Sequence, residues 1–293
     1  MIPAQNIVAW GQSVPWVEQR QVEQDLIISR AVVEVFADPF LKKELRFRGG
    51  TALNKLHFPK PLRYSEDIDL TRTTAGPIGP VLDRVREILE PWLGRAQFDP
   101  SKIAPKLRFR ATAEDGNSQA PIRLKVEIHT RERTAYDDPV SMPYAVKNPW
   151  FTGSADIATF SNEEILATKL RALLQRNKGR DLVDLSHAAT VFGELDVPRL
   201  ITCFGKYLSA TGDSISRAQA EERMFDKLDN PDFLADVLPL LVADEAEKFD
   251  DAAGRAAFSD VFSTFIKKIP GEAWALTPEM AKQYELPELA QDG

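Results

Sequence analysis

The sequence predicts an α+β protein, with a small mixed sheet and its helices in the N-terminal half and a helical bundle in the C-terminal half. Apolar residues recur at spacings of three and four in residues 16–38, which predicts an amphipathic helix. Apolar and polar residues alternate in residues 106–113 and 122–129, which predicts two strands. From about Ser161 onward only helical spacing is found. Strands confined to the first half, followed by helices alone, favour the α+β class.

In the first half of the chain, short strands and helices alternate in the stretches between these segments. Pro59 and Pro61 end one of the helices, because proline cannot continue a helical hydrogen-bond ladder. A polar loop at residues 114–121, rich in Asp, Gly, Asn, Ser and Pro, joins the last two strands in a hairpin. The other elements predicted here are a strand at 44–48, a helix at 51–57, a strand at 67–73 and a helix at 80–92.

A change of domain is predicted in residues 137–156, which are rich in proline, glycine and asparagine. The first domain would comprise residues 1–145 and the second, helical domain residues 146–293. After a helix that begins near Ser161, further helices are expected at 181–191, 198–209, 215–228, 231–242 and 255–267.

The composition is that of an ordinary globular protein, with 43% hydrophobic and 28% charged residues in 293. The single cysteine, Cys203, excludes an internal disulfide and a cysteine-rich zinc site, and its apolar neighbours predict a buried, inert thiol. The N-terminus lacks a basic segment followed by an apolar one, and no apolar run reaches about 18 residues. We therefore expect a cytoplasmic protein without a signal peptide or a membrane span.

The net charge of −7 is unevenly distributed along the chain. Residues 221–293 carry 17 acidic and 7 basic residues, whereas residues 1–220 carry 27 acidic and 30 basic ones. The acidic C-terminal part is therefore not expected to bind nucleic acid, whereas the first part is suited to bind phosphates.

The most informative segment runs from Phe47 to Leu70 and reads FRGGTALNKLHFPKPLRYSEDIDL. Its Gly49–Gly50–Thr51 turn begins a short helix, where free backbone N–H groups can hold phosphate oxygens. Asp67 and Asp69 follow on a strand, and alternate residues of a strand point to the same side. Two convergent carboxylates beside a phosphate-binding turn predict a site for Mg²⁺ or Mn²⁺ with a nucleoside triphosphate.

Each part of this segment also has a simpler interpretation. Most Gly-Gly pairs are only tight turns, and an aspartate pair on a surface strand usually faces solvent. Their order along one segment, with Asp67 and Asp69 alternating with apolar Ile68 and Leu70, favours the metal and phosphate site. The nearby cations Lys55 and Arg63 could hold phosphates or could simply be solvated. Ser65, on the same side of the strand as Asp67, could touch phosphate or be modified.

Candidate catalytic groups also lie further along the chain. Glu127 alternates with apolar neighbours on a strand and is either an exposed acid or a third carboxylate that binds metal or accepts a proton. Lys169 opens a basic stretch, residues 165–180, that could neutralise phosphates or form a solvated helix face. Asp181 and Asp184 lie one helical turn apart and could cap a helix, anchor Lys169 or assist the metal or the base.

These motifs resemble those of the AbiEii/AbiGii nucleotidyltransferase toxins of type IV toxin–antitoxin systems, a family that includes the mycobacterial MenT toxins. The resemblance rests on GGTALNKL followed by RYSEDIDL, on RLKVEIHTRE at residues 123–132 and on EILATKLRALLQRNKGRDLVDL at residues 164–185. It implies a nucleotidyltransferase-like fold, with Glu127 as the third acid and Lys169 as a phosphate-contacting lysine. Most members of the wider superfamily have aspartate at the position of Glu127.

The resemblance further implies a Mg²⁺-dependent enzyme that transfers a nucleotide from an NTP to an RNA end, with tRNA 3′ ends as acceptors in the mycobacterial relatives. It also implies a cognate antitoxin encoded nearby, and growth arrest or phage defence as the role. Two alternatives remain open. One is a transferase that modifies a small molecule or a protein hydroxyl, and the other is a protein that binds NTP without catalysis.

Overall fold

The computed structural model describes residues 2–115 and 120–290. By its internal contacts the chain divides into two compact units, Met1–Ser161 and Asn162–Gly293. The first unit contains all the strands of the described residues, and the second is helical. The α+β prediction is therefore confirmed.

A five-stranded mixed sheet is the centre of the first unit, with its strands in the order β1-β2-β5-β4-β3. Strands β2 and β5 are parallel, and the other neighbouring pairs are antiparallel. The β4–β5 hairpin predicted from alternation is thus confirmed. The strands are β1 (Leu45–Arg48), β2 (Asp67–Arg72), β3 (Gln97–Asp99), β4 (Lys106–Ala111) and β5 (Ile122–His129).

The helix predicted at residues 16–38 is the longest element of the first unit. Its apolar side chains Leu26, Ile28 and Val32 are almost fully buried, and each contributes about 1.5–3 kcal/mol by leaving water. A π-helical turn, Leu53–His57, continues α4. The helices of this unit are α1 (Ala4–Gly11), α2 (Gln19–Ala37), α3 (Pro39–Glu44), α4 (Gly49–Ala52) and α5 (Gly79–Leu93).

Most of the predicted boundary segment, residues 137–156, lies in a β-hairpin of the first unit, formed by β6 (Val140–Asn148) and β7 (Phe151–Thr159). The chain divides only after this hairpin. The hairpin packs on α2, and Val146 and Ile157 are fully buried. Proline is tolerated within β6 because each strand of a two-stranded sheet has a free edge.

The second unit is built from helices, and its core contains clustered phenylalanines such as Phe225, Phe258 and Phe262. The predicted helix at 231–242 is wrong, because that segment forms turns and a short 3₁₀ helix, Leu238–Leu240, around Pro239. The α-helices are α6 (Asn162–Gln175), α7 (Gly179–Val191), α8 (Val197–Ser209), α9 (Arg217–Leu228), α10 (Ala243–Ala246), α11 (Asp251–Thr264) and α12 (Thr277–Gln283). Two more 3₁₀ helices are Ile266–Lys268 and Pro287–Ala290.

Two predictions about single features also have structural outcomes. Cys203 lies in α8 and is buried, and burial raises the pKa of its thiol, as expected for an inert cysteine. Within residues 2–115 and 120–290, no helix is long and apolar enough to cross a membrane.

Candidate active site

Strands β2 and β5 bring the predicted carboxylates to one face of the sheet. In the parallel register Asp69 lies beside Glu127, and Asp67 lies beside Lys125. The residues that alternate with them, such as Ile68 and Val126, are buried in the core. The polar face therefore presents Asp67, Asp69 and Glu127 side by side.

Lys125 lies between two of these carboxylates. Its Nζ is 2.8 Å from Oδ2 of Asp67 and 3.2 Å from Oε2 of Glu127. Burial alone would lower the pKa of Lys125, but the hydrogen bond and charge of Asp67 raise it. Lys125 is thus held as a cation in the middle of the acidic group.

Asp69 is affected both by its burial and by its acidic neighbours. The pKa of Asp69 is raised, first by its removal from water and then by the charge of Asp67, while Lys125 opposes the shift. Carboxylate oxygens are the ligands that Mg²⁺ prefers, so the donor chemistry fits a divalent cation. As the side chains stand, however, no three such donors in the described parts of the chain converge closely enough to hold a metal ion.

The Gly-Gly turn lies directly against these carboxylates. Gly49 has φ +79°, a conformation that favours glycine, and a Cβ at this position would collide with the carboxylate of Asp69. A Cβ at Gly50 would come within 2.6 Å of the Arg63 guanidinium and 3.3 Å of the Ser65 hydroxyl. The two glycines therefore allow the start of α4 to approach both the acidic face and the segment before β2.

Substituting alanine for Gly49 is expected to destabilise the protein more than the same change at Gly212. Both residues have positive φ, +79° and +78°, but a Cβ added at Gly212 would have no neighbour within 4 Å, whereas one at Gly49 would meet Asp69. The two positions therefore share a φ that disfavours alanine, and only Gly49 adds the contact with Asp69. We expect Gly49→Ala to cost about 1–3 kcal/mol more than Gly212→Ala in urea unfolding. Equal costs would show that the contact contributes nothing.

Hydrogen bonds connect the turn to the segment that precedes the aspartates. The hydroxyls of Thr51 and Ser65 are 2.8 Å apart, and Thr51 also donates to the backbone carbonyl of Asp67. Asn54 donates to the carbonyl of Gly50 and accepts from the backbone N–H groups of Leu62 and Arg63. The position of Asp67 is thus fixed relative to the glycine turn.

The predicted nucleotide-binding side chains in this unit share one pocket. Thr51, Lys55, Arg63 and Ser65 line a cavity of about 400 Å³, together with aromatic side chains. This volume is within the range of small-molecule sites. The other lining residues include Trp10, Trp16, Phe58 and Tyr144.

Within this pocket Lys55 already has partners in the protein. Its Nζ is 2.7 Å from the carboxylate of Asp25 and 2.9 Å from the hydroxyl of Ser29. Burial alone would lower the pKa of Lys55, but the charge of Asp25 raises it. The indole N–H of Trp10 also donates to Asp25. Lys55 therefore joins α2 to the turn that follows the glycines.

Lys169, Asp181 and Asp184 form one buried cluster in the second unit. Nζ of Lys169 on α6 is 3.1 Å from Asp181 and 2.8 Å from Asp184, both on α7. Arg176 donates two further hydrogen bonds to Asp181. Of the roles open to the two aspartates, the structure shows the anchoring of Lys169.

Sequence reasoning missed Lys125, Asp25 and Asn54. Lys125 had a usable signal, because it lies two residues before Glu127 on an alternating strand and must share its face. No signal in the sequence indicates Asp25 or Asn54, because their partners are defined only when α2 and the segment before β2 pack on the glycine turn.

The mixed sheet, with a glycine turn opposed to an Asp-x-Asp strand, is that of a nucleotidyltransferase. The family described as "Nucleotidyl transferase AbiEii toxin, Type IV TA system" matches residues 30–255, and the chain belongs to this family. Membership implies a nucleoside triphosphate substrate and an antitoxin partner.

Solved structures show the same fold. MenT4, a nucleotidyltransferase toxin from Mycobacterium tuberculosis, matches with a TM-score of 0.60 and 17% identity over 100% of both chains. JHP933 from Helicobacter pylori matches with a TM-score of 0.56 and 18% identity, over 94% of this chain and 100% of the other. No curated protein matches the sequence. Both structures therefore share the fold of this chain.

Proposed function

We propose that this toxin transfers a nucleoside monophosphate from an NTP to an RNA hydroxyl, with a tRNA 3′ end as the acceptor. The observation that supports this most is the contact between the Gly49–Gly50 turn and the Asp67–Asp69 strand. In this proposal the N–H groups of the turn bind phosphate beside the carboxylates. Block of tRNA charging would then arrest translation, in the cytoplasm, until the cognate antitoxin relieves it.

In this proposal each group has a separate task. The acceptor oxygen bonds to the α-phosphorus, the bond to pyrophosphate breaks, and Glu127 accepts the hydroxyl proton. The N–H groups of the Gly49–Thr51 turn hold the β- and γ-phosphates, and Arg63 and Ser65 line the pocket beside them. Asp67, Asp69 and Glu127 would hold Mg²⁺ or Mn²⁺, which when bound supplies charge stabilisation to the phosphates.

Only the resemblance to the family gives Lys169 a role in contacting the phosphates. Its charge is already paired with Asp181 and Asp184 in the second unit. The assignment predicts that loss of the lysine weakens NTP use more than RNA binding, and the relevant comparison is of the KM for NTP with the Kd for RNA.

A basic surface next to Asp67 supports a polyanionic acceptor. A cavity of about 290 Å³ is lined by Asp67 together with Arg108, Arg110 and Arg123. Arg110 and Arg123 lie directly opposite each other on β4 and β5, and like charges in that position repel. Neither makes an ion pair with any residue that the structure describes. A phosphate backbone would relieve this repulsion.

The test is incubation of the purified protein with Mg²⁺, each α-³²P-labelled NTP in turn and total cellular RNA, resolved on a denaturing gel. We expect a labelled band of tRNA size, and the nucleotide that produces it is the substrate. Label found on protein or on a small molecule, and not on RNA, would identify that molecule as the acceptor and contradict an RNA acceptor. NTP binding without any labelled product would show a non-catalytic protein and contradict the proposal.

A further inference from the structure

The position of Lys125 suggests a role that neither the motifs nor the family assign. Its ammonium group contacts Asp67 at 2.8 Å and Glu127 at 3.2 Å, and it lies on the strand directly beside β2. Both carboxylates are candidate metal ligands. In this arrangement the lysine is the cation that they share.

Other cations near this face do not occupy the same position. Lys106 approaches only Glu127, at 3.8 Å, and His129, which is a cation only when protonated, approaches it at 3.7 Å. Lys125 therefore differs from both in bridging the two strands that carry the acids. It is also only about a quarter exposed, with a side-chain accessibility of 25%.

In the described residues no three oxygen donors converge on a metal position, and two of the candidate donors contact Lys125 instead. Asp67 and Glu127 are both turned to the lysine. A divalent cation that takes Asp67 and Glu127 as ligands must replace the ammonium group, because two cations repel strongly at such distances.

We propose that Lys125 is an internal counter-ion, which holds Asp67 and Glu127 in place without metal and competes with the divalent cation for them. This inference rests on the proposed metal site at Asp67 and Asp69. Lys125 acts through the two carboxylates and is thus a positioning residue. Its displacement when metal binds would also free one positive charge beside Asp67, next to the basic cavity that includes Arg108.

The experiment is titration of the purified full-length protein with Mn²⁺, with free Mn²⁺ followed by electron paramagnetic resonance. We expect Lys125→Met to bind Mn²⁺ roughly tenfold more tightly than the wild type, because a competing cation is removed. Lys125→Gln serves as a second variant if the methionine protein does not fold. Lys125→Arg keeps the charge and is expected to bind Mn²⁺ as the wild type does.

Lys106→Met is the matched control, since it removes a lysine from the same face that does not bridge the acids. It is expected to change Mn²⁺ affinity less than about threefold. If both Lys125→Met and Lys125→Gln bind Mn²⁺ no more tightly than the wild type, the counter-ion role is overturned. The same holds if neither variant binds Mn²⁺. Asp69→Asn tests the proposed metal site separately. If this variant binds Mn²⁺ as tightly as the wild type, the metal site itself is wrong.

Discussion

Replacing Asp69 by asparagine is expected to lower the rate of nucleotidyl transfer at least roughly a thousandfold, equivalent to about 4 kcal/mol of transition-state stabilisation. The amide has the shape of the carboxylate but no charge to hold a divalent cation. Asp69 is also the acid that contacts the Gly49 turn, so the position links the metal site to the phosphate site. The rate is measured as labelled NMP transferred from α-³²P-NTP to RNA.

The same substitution is expected to leave the fold intact and slightly more stable at neutral pH. Burial and Asp67 raise the folded pKa of Asp69 above its unfolded value near 3.9. The folded state therefore loses stability as the pH rises from that value through the raised one, and asparagine removes this loss. Asp156→Asn, at an exposed aspartate of β7, is the control and should retain activity. Transfer by Asp69→Asn at the wild-type rate would contradict the assignment.

Replacing Lys169 by methionine is expected to destabilise the second unit by about 3–5 kcal/mol. Asp181 and Asp184 are both fully buried, and the substitution leaves their charges without the ammonium group between them. The measurement is guanidinium unfolding followed by circular dichroism. Lys248→Met is the control, because that lysine pairs with Glu245 at the surface and should cause no measurable change. A wild-type unfolding curve for Lys169→Met would contradict a structural role for the cluster.

The buried cluster also predicts that the stability of the folded protein falls as the pH becomes acidic. Burial alone would raise the pKa of Asp181, but the charges of Lys169 and Arg176 outweigh it and hold the pKa well below its ordinary value. The stability from Asp181 is therefore present above its unfolded pKa near 3.9 and is lost as the pH falls below it towards the folded value. In Lys169→Met this loss between pH 5 and about pH 2 should be smaller. An unchanged acid dependence would mean that Lys169 does not lower the pKa of Asp181.

The acidic face was predictable because it depends on local alternation. Asp67 and Asp69 share a face on any strand, and Glu127 shares one with its alternate neighbours. The glycine turn was predictable as a candidate, because Gly49 and Gly50 immediately precede a helical segment. Its contact with Asp69 depends on the antiparallel pairing of β1 with β2, which local sequence does not specify.

Other features depend on contacts between distant segments. Lys55 was predicted as a nucleotide-binding cation, but Asp25, 30 residues earlier, lies beside it once α2 packs on the turn. Local composition predicts a boundary in the β6–β7 hairpin, because Pro143 and Gly153 lie within it and these residues usually mark loops. Only the edges of a two-stranded sheet make them acceptable there.

The most direct test of the proposed site is a crystal structure of the protein with Mg²⁺ and a non-hydrolysable NTP. We predict that the β- and γ-phosphates contact the N–H groups of the Gly49–Thr51 turn, with the metal ion bound by Asp67 and Asp69 and with Lys125 displaced from Asp67. Phosphates bound at the basic cavity of Arg108 and Arg110, with Asp67 still paired to Lys125, would contradict the proposed nucleotidyl-transfer site.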